Sequence, residues 1–438
     1  KPINNAESSQ EKSIKRAKNL KNDVPSSKFI VLNVPYQDNE DYVISPLGVG
    51  TPASFIPVQV DTTTYKTWVA SSDDEENNSA FTYNVKDSSS AEETGDWDTI
   101  VDEEGTVSGD VINDIVYLDK FKIPNFKFVS VVEYEDDFHD YKFGKLGLGN
   151  CQYADDDDKE YCILQRLKDN KSILKRVFSI REFNDTHGEL VIGDVTPVAK
   201  ENDYALLNVV NEDTYDDIED DEFKMAWLTK ISYVLIKNDL KDISHIFDNR
   251  IRIEEGLASF DSSCHYIEAP CTYINQFEEQ LFEKIIPNVC RKVNRDGTYM
   301  FLCNIERFDQ VIDRIEELSF ILVINGYGFN IPMKNLFEKT TEEDYEFFIH
   351  FKDFEQNIWN LGHPFFHNYT VIFDQDNQEI GVDGKLIYNL QEELVEINKK
   401  EGSSNWWKVL LIVLLVLLLL AALFYLGRRY GIKKRLDN

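Results

Sequence analysis

From Lys28 to about Leu390 the chain alternates apolar and polar residues in short runs, among them FIVLNV, FIPVQV, DIVYLDKFKI, FKFVSVVEY, ELVIGDV, SFILVING and YTVIFD. Turn-forming residues separate these runs at intervals of about eight to twelve positions. A period of two buries one face of a strand and leaves the other to solvent, so the pattern predicts an all-β body. The aromatic content of 13%, with 28 Phe and 21 Tyr, points the same way, because large rings fit a pleated, half-buried surface. Helical spacing is rare. Its best instance runs from Cys271 to Val293, where apolar residues recur at intervals of three and four. Residues 1–27 are polar and lysine-rich and read as an arm, and residues 391–405 read as a polar stalk.

One run breaks the β pattern. Val409 to Leu426 reads VLLIVLLVLLLLAALFYL, without a charge. At about 1.5 Å per residue such a helix nearly crosses the hydrocarbon core of a bilayer. Trp406 and Trp407 supply an interfacial belt, so the expected transmembrane helix spans 406–427. Arg428, Arg429, Lys433, Lys434 and Arg435 crowd the tail 428–438. Positive flanks stay cytosolic, so the expectation is a single-pass type I membrane protein with a lumenal or extracellular body and a signal already removed.

Charge and cysteine usage narrow the picture. Lys plus Arg is 46 and Asp plus Glu is 79, a net charge of −33. A field of that sign repels phosphate backbones and excludes a nucleic-acid partner. In an oxidising lumen the six cysteines, Cys151, Cys162, Cys264, Cys271, Cys290 and Cys303, read as disulfides. Six allow fifteen connectivities, and the simplest local set pairs Cys151 with Cys162, Cys264 with Cys271, and Cys290 with Cys303. No CxxC pair with zinc spacing is present. Sequons at Asn77, Asn170, Asn184 and Asn368 are compatible with a glycoprotein.

A strand ending in aspartate occurs twice, as FIPVQVDTTT at 55–64 and GLASFDSSC at 256–264. Each is followed well downstream by an apolar-glycine step, KLGLG at 145–149 and NLGHPFF at 360–366. That layout predicts two lobes on one plan, at about 28–200 and 201–390. On these residues the chain resembles the pepsin-like aspartic proteases. Gly50-Thr51-Pro52 and the strand to Asp61 are similar to the family's opening, and Trp68-Val69 to its Trp-Val. Gly109 through Val116 resembles the end of the family's flap, and Gly147–Gly149 its Gly-Leu-Gly. Trp359-Asn360-Leu361-Gly362, Tyr369–Asp374 and Ile380-Gly381-Val382 complete the series in family order.

The resemblance implies a bilobal fold with a central cleft and two catalytic carboxylates, Asp61 and Asp261. One would act as base toward a bound water while the other donates to the carbonyl. Thr62 and Ser262 match the family's hydroxyl residues that lock the two loops together. The chain departs from the family at Thr63 and Ser263, which replace both loop glycines, where a side chain is expected to crowd the water. The following hydroxyl is kept as Thr64 and becomes Cys264 in the second loop. The flap tyrosine falls at Asp102, and Lys145 stands where an apolar residue is expected.

The basic stretch Lys12, Lys15, Arg16, Lys18 and Lys21 resembles the family's cationic prosegment. Asp155–Lys159 resembles an enteropeptidase site and reads as a solvated acidic loop. His363 and His367 flank Pro364 and read as ordinary loop histidines in a segment that cannot be a regular helix, so no metal is expected, and no cofactor. The leading expectation is a membrane-anchored pseudoprotease that binds a peptide or protein partner. An active aspartic endopeptidase using Asp61, Asp261 and an activated water is the first rival, and a structural subunit of a membrane complex the second.

Overall fold

The computed structural model describes residues 30–391, apart from 36–43, 74–80, 103–104, 136–143, 185–186, 194–203, most of 212–222, 238–249 and a few single positions. The arm, the stalk beyond Gln391, the apolar run 409–426 and the basic tail lie outside the described residues. Among the described residues, no helix is long and apolar enough to cross a membrane.

The body is mostly β, and its described strands form three sheets. The first has seven strands drawn from residues 44–147, in the order Ile44–Val49, Ser54–Asp61, Gly144–Gly147, Trp68–Ala70, Phe121–Glu135, Gly105–Leu118, Glu92–Asp102. A larger sheet takes most of its strands from between Leu228 and Leu361. The third has six strands and takes members from both halves of the chain. Ile30–Pro35, His187–Ile192 and Val177–Asn184 lie beside Thr370–Asp374, Glu379–Asp383 and Tyr204–Asn208.

Strand-period burial explains the first sheet. In Gly105–Leu118 most alternate side chains are closed to solvent, among them Val107, Val116 and Leu118. Each large apolar side chain so buried contributes roughly 1.5–3 kcal/mol. Aromatic rings from both halves of the chain meet. Phe178 stacks on Phe373 at 4.6 Å, Trp227 lies 5.2 Å from the same ring, and Phe260 meets Phe365 edge-on at 5.3 Å. Trp227 Nε1 donates to the Leu148 carbonyl at 2.9 Å, so the polar edge of this buried indole is satisfied.

Two expectations are corrected. The helical run expected over Cys271–Val293 stops at Glu283, and Cys290–Arg295 is a strand paired with Thr298–Asn304. Pro287 lies in the turn between them, where it offers no donor to continue a helix. Of the three expected disulfides, Cys151–Cys162 and Cys290–Cys303 are formed. Cys264 and Cys271 are not joined. The extended strand Ile267–Pro270 lies between them, and at about 3.3 Å per residue it carries the second cysteine beyond the ~7 Å Cα limit for a bridge.

Candidate active site

Asp61 ends the strand Ser54–Asp61, and Asp261 follows the strand Arg250–Phe260. Both side chains are closed to solvent, at 0% and 1% exposure. The loops that carry them are laced across the molecule. Thr62 Oγ1 donates to the Phe260 carbonyl at 2.6 Å and accepts from the Ser262 amide at 3.0 Å. Ser262 Oγ donates to the Val60 carbonyl at 2.7 Å, and Gln59 Nε2 donates to the Ser263 carbonyl at 3.1 Å. These bonds link residues about two hundred apart in sequence and hold the two acidic loops in register.

The residues in place of the loop glycines behave otherwise than their bulk suggests. Thr63 donates to Asp61 Oδ1 through both its amide and its hydroxyl, each at 2.7 Å. Ser263 does the same to Asp261 Oδ1, at 2.8 and 2.6 Å. Each hydroxyl therefore turns onto its own loop's carboxylate. Thr64 Oγ1 accepts from the Lys66 amide at 3.1 Å and contacts the Met225 sulfur at 3.7 Å. Cys264 Sγ donates to the Tyr266 carbonyl at 3.3 Å.

The other carboxylate oxygens meet side chains from the apolar-glycine steps. Gly144–Gly147 pairs in parallel with Ser54–Asp61 and sets Lys145 opposite Gln59. Gln59 and Asp61 are two apart and share a face, so Lys145 projects beside the aspartate. Its Nζ lies 3.3 Å from Asp61 Oδ2, and both side chains are buried. In the second half Ile358–Leu361 pairs in parallel with Arg250–Phe260 and sets Asn360 opposite Ser259. Asn360 Nδ2 donates to Asp261 Oδ2 at 3.0 Å. The glycines that close both steps permit this approach. A Cβ at Gly147 would come within 2.5 Å of Tyr65 backbone, and one at Gly362 within 2.2 Å of the Tyr266 carbonyl.

Burial, then the negative charge of Asp61, pushes the Asp261 carboxyl up to about 6. Hydrogen bonds from Ser263 and Asn360 and the charge of Lys145 pull against that rise. Two buried carboxylates interacting in this way can hold one proton between them. The ammonium of Lys145 adds a positive charge that an apolar residue at that position would not supply.

Asp102 ends the strand Glu92–Asp102, opposite Gly105, and residues 103–104 between them lie outside the described residues. The same strand is tied to the first acidic loop. Lys66 Nζ pairs with Asp98 at 2.9 Å, and Tyr161 OH donates to Asp98 Oδ2 at 2.8 Å. Tyr65 OH donates to Asp158 Oδ2 at 2.9 Å, so the acidic segment Asp155–Lys159 is hooked to the same loop rather than wholly solvated. Neither tie was foreseen from the sequence, where Lys66 and Asp98 carry no local signal. Around Pro364, where no regular helix is expected, His363–Phe366 makes a single helical turn with Pro364 inside it, where its missing amide hydrogen costs nothing. His363 and His367 both approach Glu182 there, and the three offer ligand atoms within 4.8 Å of one another.

The comparisons agree with this geometry. Residues 41–384 match the family model for eukaryotic aspartyl protease. The chain is also 25% identical over 295 residues to plasmepsin I from two isolates of Plasmodium falciparum. Those alignments cover 63% of this chain and 54% of each relative, so the match spans about half the length of the curated relatives. With both aspartates, the interlocked loops and the family match over most of its length, the chain belongs to the eukaryotic aspartyl protease family.

Proposed function

We propose that the protein is a pseudoprotease: an aspartic-protease-like body that binds a peptide or protein partner without cleaving it. The observation that carries this reading is the buried ammonium of Lys145 at 3.3 Å from Asp61 Oδ2. An aspartic protease needs one ionised carboxylate free to draw a proton from water. In this reading the buried ammonium competes with a water for that carboxylate. The ammonium lies against Asp61 Oδ2 and the Asn360 amide donates to Asp261 Oδ2, so neither of these oxygens stands clear of a protein side chain. In this reading a cleft between the two halves receives the partner, and binding there needs no base. The apolar run 409–426 is proposed to anchor the body in a membrane as a type I protein, with the basic tail in the cytosol.

An active endopeptidase is the second reading, favoured by the intact bonds between Thr62, Phe260, Ser262 and Val60. The test is incubation of the full chain in mild detergent with a diverse peptide library between pH 3 and 7, beside Asp61→Asn and Asp261→Asn variants. No cleavage dependent on either aspartate is expected. Cleavage abolished by both substitutions would replace this reading with the active enzyme.

A further inference from the structure

We infer that Glu182, His363 and His367 form a binding site for one divalent transition-metal ion of the zinc class, separate from the aspartate pair. The fold brings the three together from distant segments. Glu182 lies on Val177–Asn184 in the shared six-stranded sheet, and the histidines flank the helical turn that leads into Thr370–Asp374. Those two strands pair with Val371 opposite Ile180. Two residues beyond Ile180 on the same face, Glu182 therefore faces the start of the returning segment.

The geometry is close to what a metal requires. Zinc bonds to imidazole nitrogen and carboxylate oxygen of about 2.0–2.1 Å place tetrahedral ligand atoms about 3.3 Å apart. Glu182 Oε1 lies 3.2 Å from His363 Nδ1, and Glu182 Oε2 lies 3.6 Å from His367 Nδ1. All three ligand atoms fall within 4.8 Å, so a small rotation of one imidazole closes the set. Two imidazoles with one carboxylate select zinc and its neighbours over calcium or magnesium, which prefer oxygen alone. Exposure is graded, with Glu182 at 3%, His363 at 13% and His367 at 33%. The exposed edge of His367 gives the ion a path in from solvent.

The ligands are supported by their surroundings. The His363 ring lies parallel to that of His265, at 6.2 Å and 7°, and the His363 amide donates to the Cys264 carbonyl at 2.8 Å. An ion here would staple the turn 363–367 to the shared sheet, and through the His363 amide the segment after Asp261. The full chain, stripped with a chelator and exposed to Zn2+ alone, should retain one zinc per chain after gel filtration, read by elemental analysis. Zinc should raise its thermal midpoint, and Co2+ in its place should give the visible bands of a tetrahedral site. His367→Asn, at the most exposed ligand, should fold as judged by circular dichroism and bind zinc at least about tenfold more weakly. Glu182→Gln should do the same where it folds, and Asp61→Asn should retain zinc unchanged. No retained zinc, equal affinity in His367→Asn, or loss in Asp61→Asn would overturn the site.

Discussion

The loop at Asp61 and the loop at Asp261 are built alike, and beneath them the chain has placed different chemistry. In each, a hydroxyl residue after the aspartate crosses to the other half, and the next residue donates twice to Oδ1. Each strand pairs in parallel with an apolar-glycine step at the equivalent register. At that register the first half carries Lys145 and the second Asn360. A cation stands beside one carboxylate and a neutral amide beside the other, and burial together with the charge of Asp61 raises Asp261. The interlock between the loops is thus separable from the acid–base pair it normally serves: the first is kept in full, while the second is altered at one side chain in each half.

The comparison breaks most severely at Lys145. Replacing it by methionine keeps the volume and leaves the Asp61 charge buried without its partner. The expected loss is roughly 3–5 kcal/mol at pH 7, read as a fall in the denaturation midpoint. An unchanged midpoint would mean that the Lys145–Asp61 pair does not hold the fold together. Next comes Thr62→Val, which removes a donor to Phe260 and an acceptor for Ser262. It should cost about 2–3 kcal/mol without moving the titration of Asp261.

Asn360→Leu restores an apolar residue in the second half. It should cost about 1–2 kcal/mol through the lost bond to Asp261 and push that carboxyl further up, because the amide bond now holds it down. A further effect is a pH slope. With a folded value of about 6 above an ordinary 3.8, the native state binds the Asp261 proton more tightly than the unfolded chain does. Its contribution to stability is therefore full below the ordinary value and lost as pH rises through the folded one. Asp261→Asn should flatten that part of the profile, measured by urea midpoints at acid and neutral pH. A profile as steep in the variant as in the parent would assign the slope to other groups.

Much of the site could be read from local spacing. The aspartates and the crossing hydroxyls lie in short segments, so Thr62 and Ser262 needed only their places in the motif. Lys145 stood out as a charge in an apolar position, but its partner could be named only once the parallel register set it opposite Gln59. Asn360 escaped notice because its segment otherwise matches the family phrase, and one polar residue in a strand carries no periodic signal. Thr63 and Ser263 were judged by bulk, while the structure lets their hydroxyls bond to the adjacent carboxylates. The joining of Cys264 to Cys271 failed because closeness in sequence says nothing about an extended strand between them. Glu182 lies 181 residues from His363, and only the pairing of the shared sheet brings them together.

The central claim is that Lys145 disarms Asp61. Binding of a statine-type transition-state analogue, measured by calorimetry near pH 5 on the full chain and on Lys145→Leu, tests it most directly. Such a ligand places a hydroxyl between both carboxylates and is held by their shared proton. The parent chain should give no measurable heat, and the variant should gain at least about a hundredfold in affinity, equivalent to about 2.7 kcal/mol. Tight binding to the parent, left unchanged or weakened by Lys145→Leu, would contradict the account.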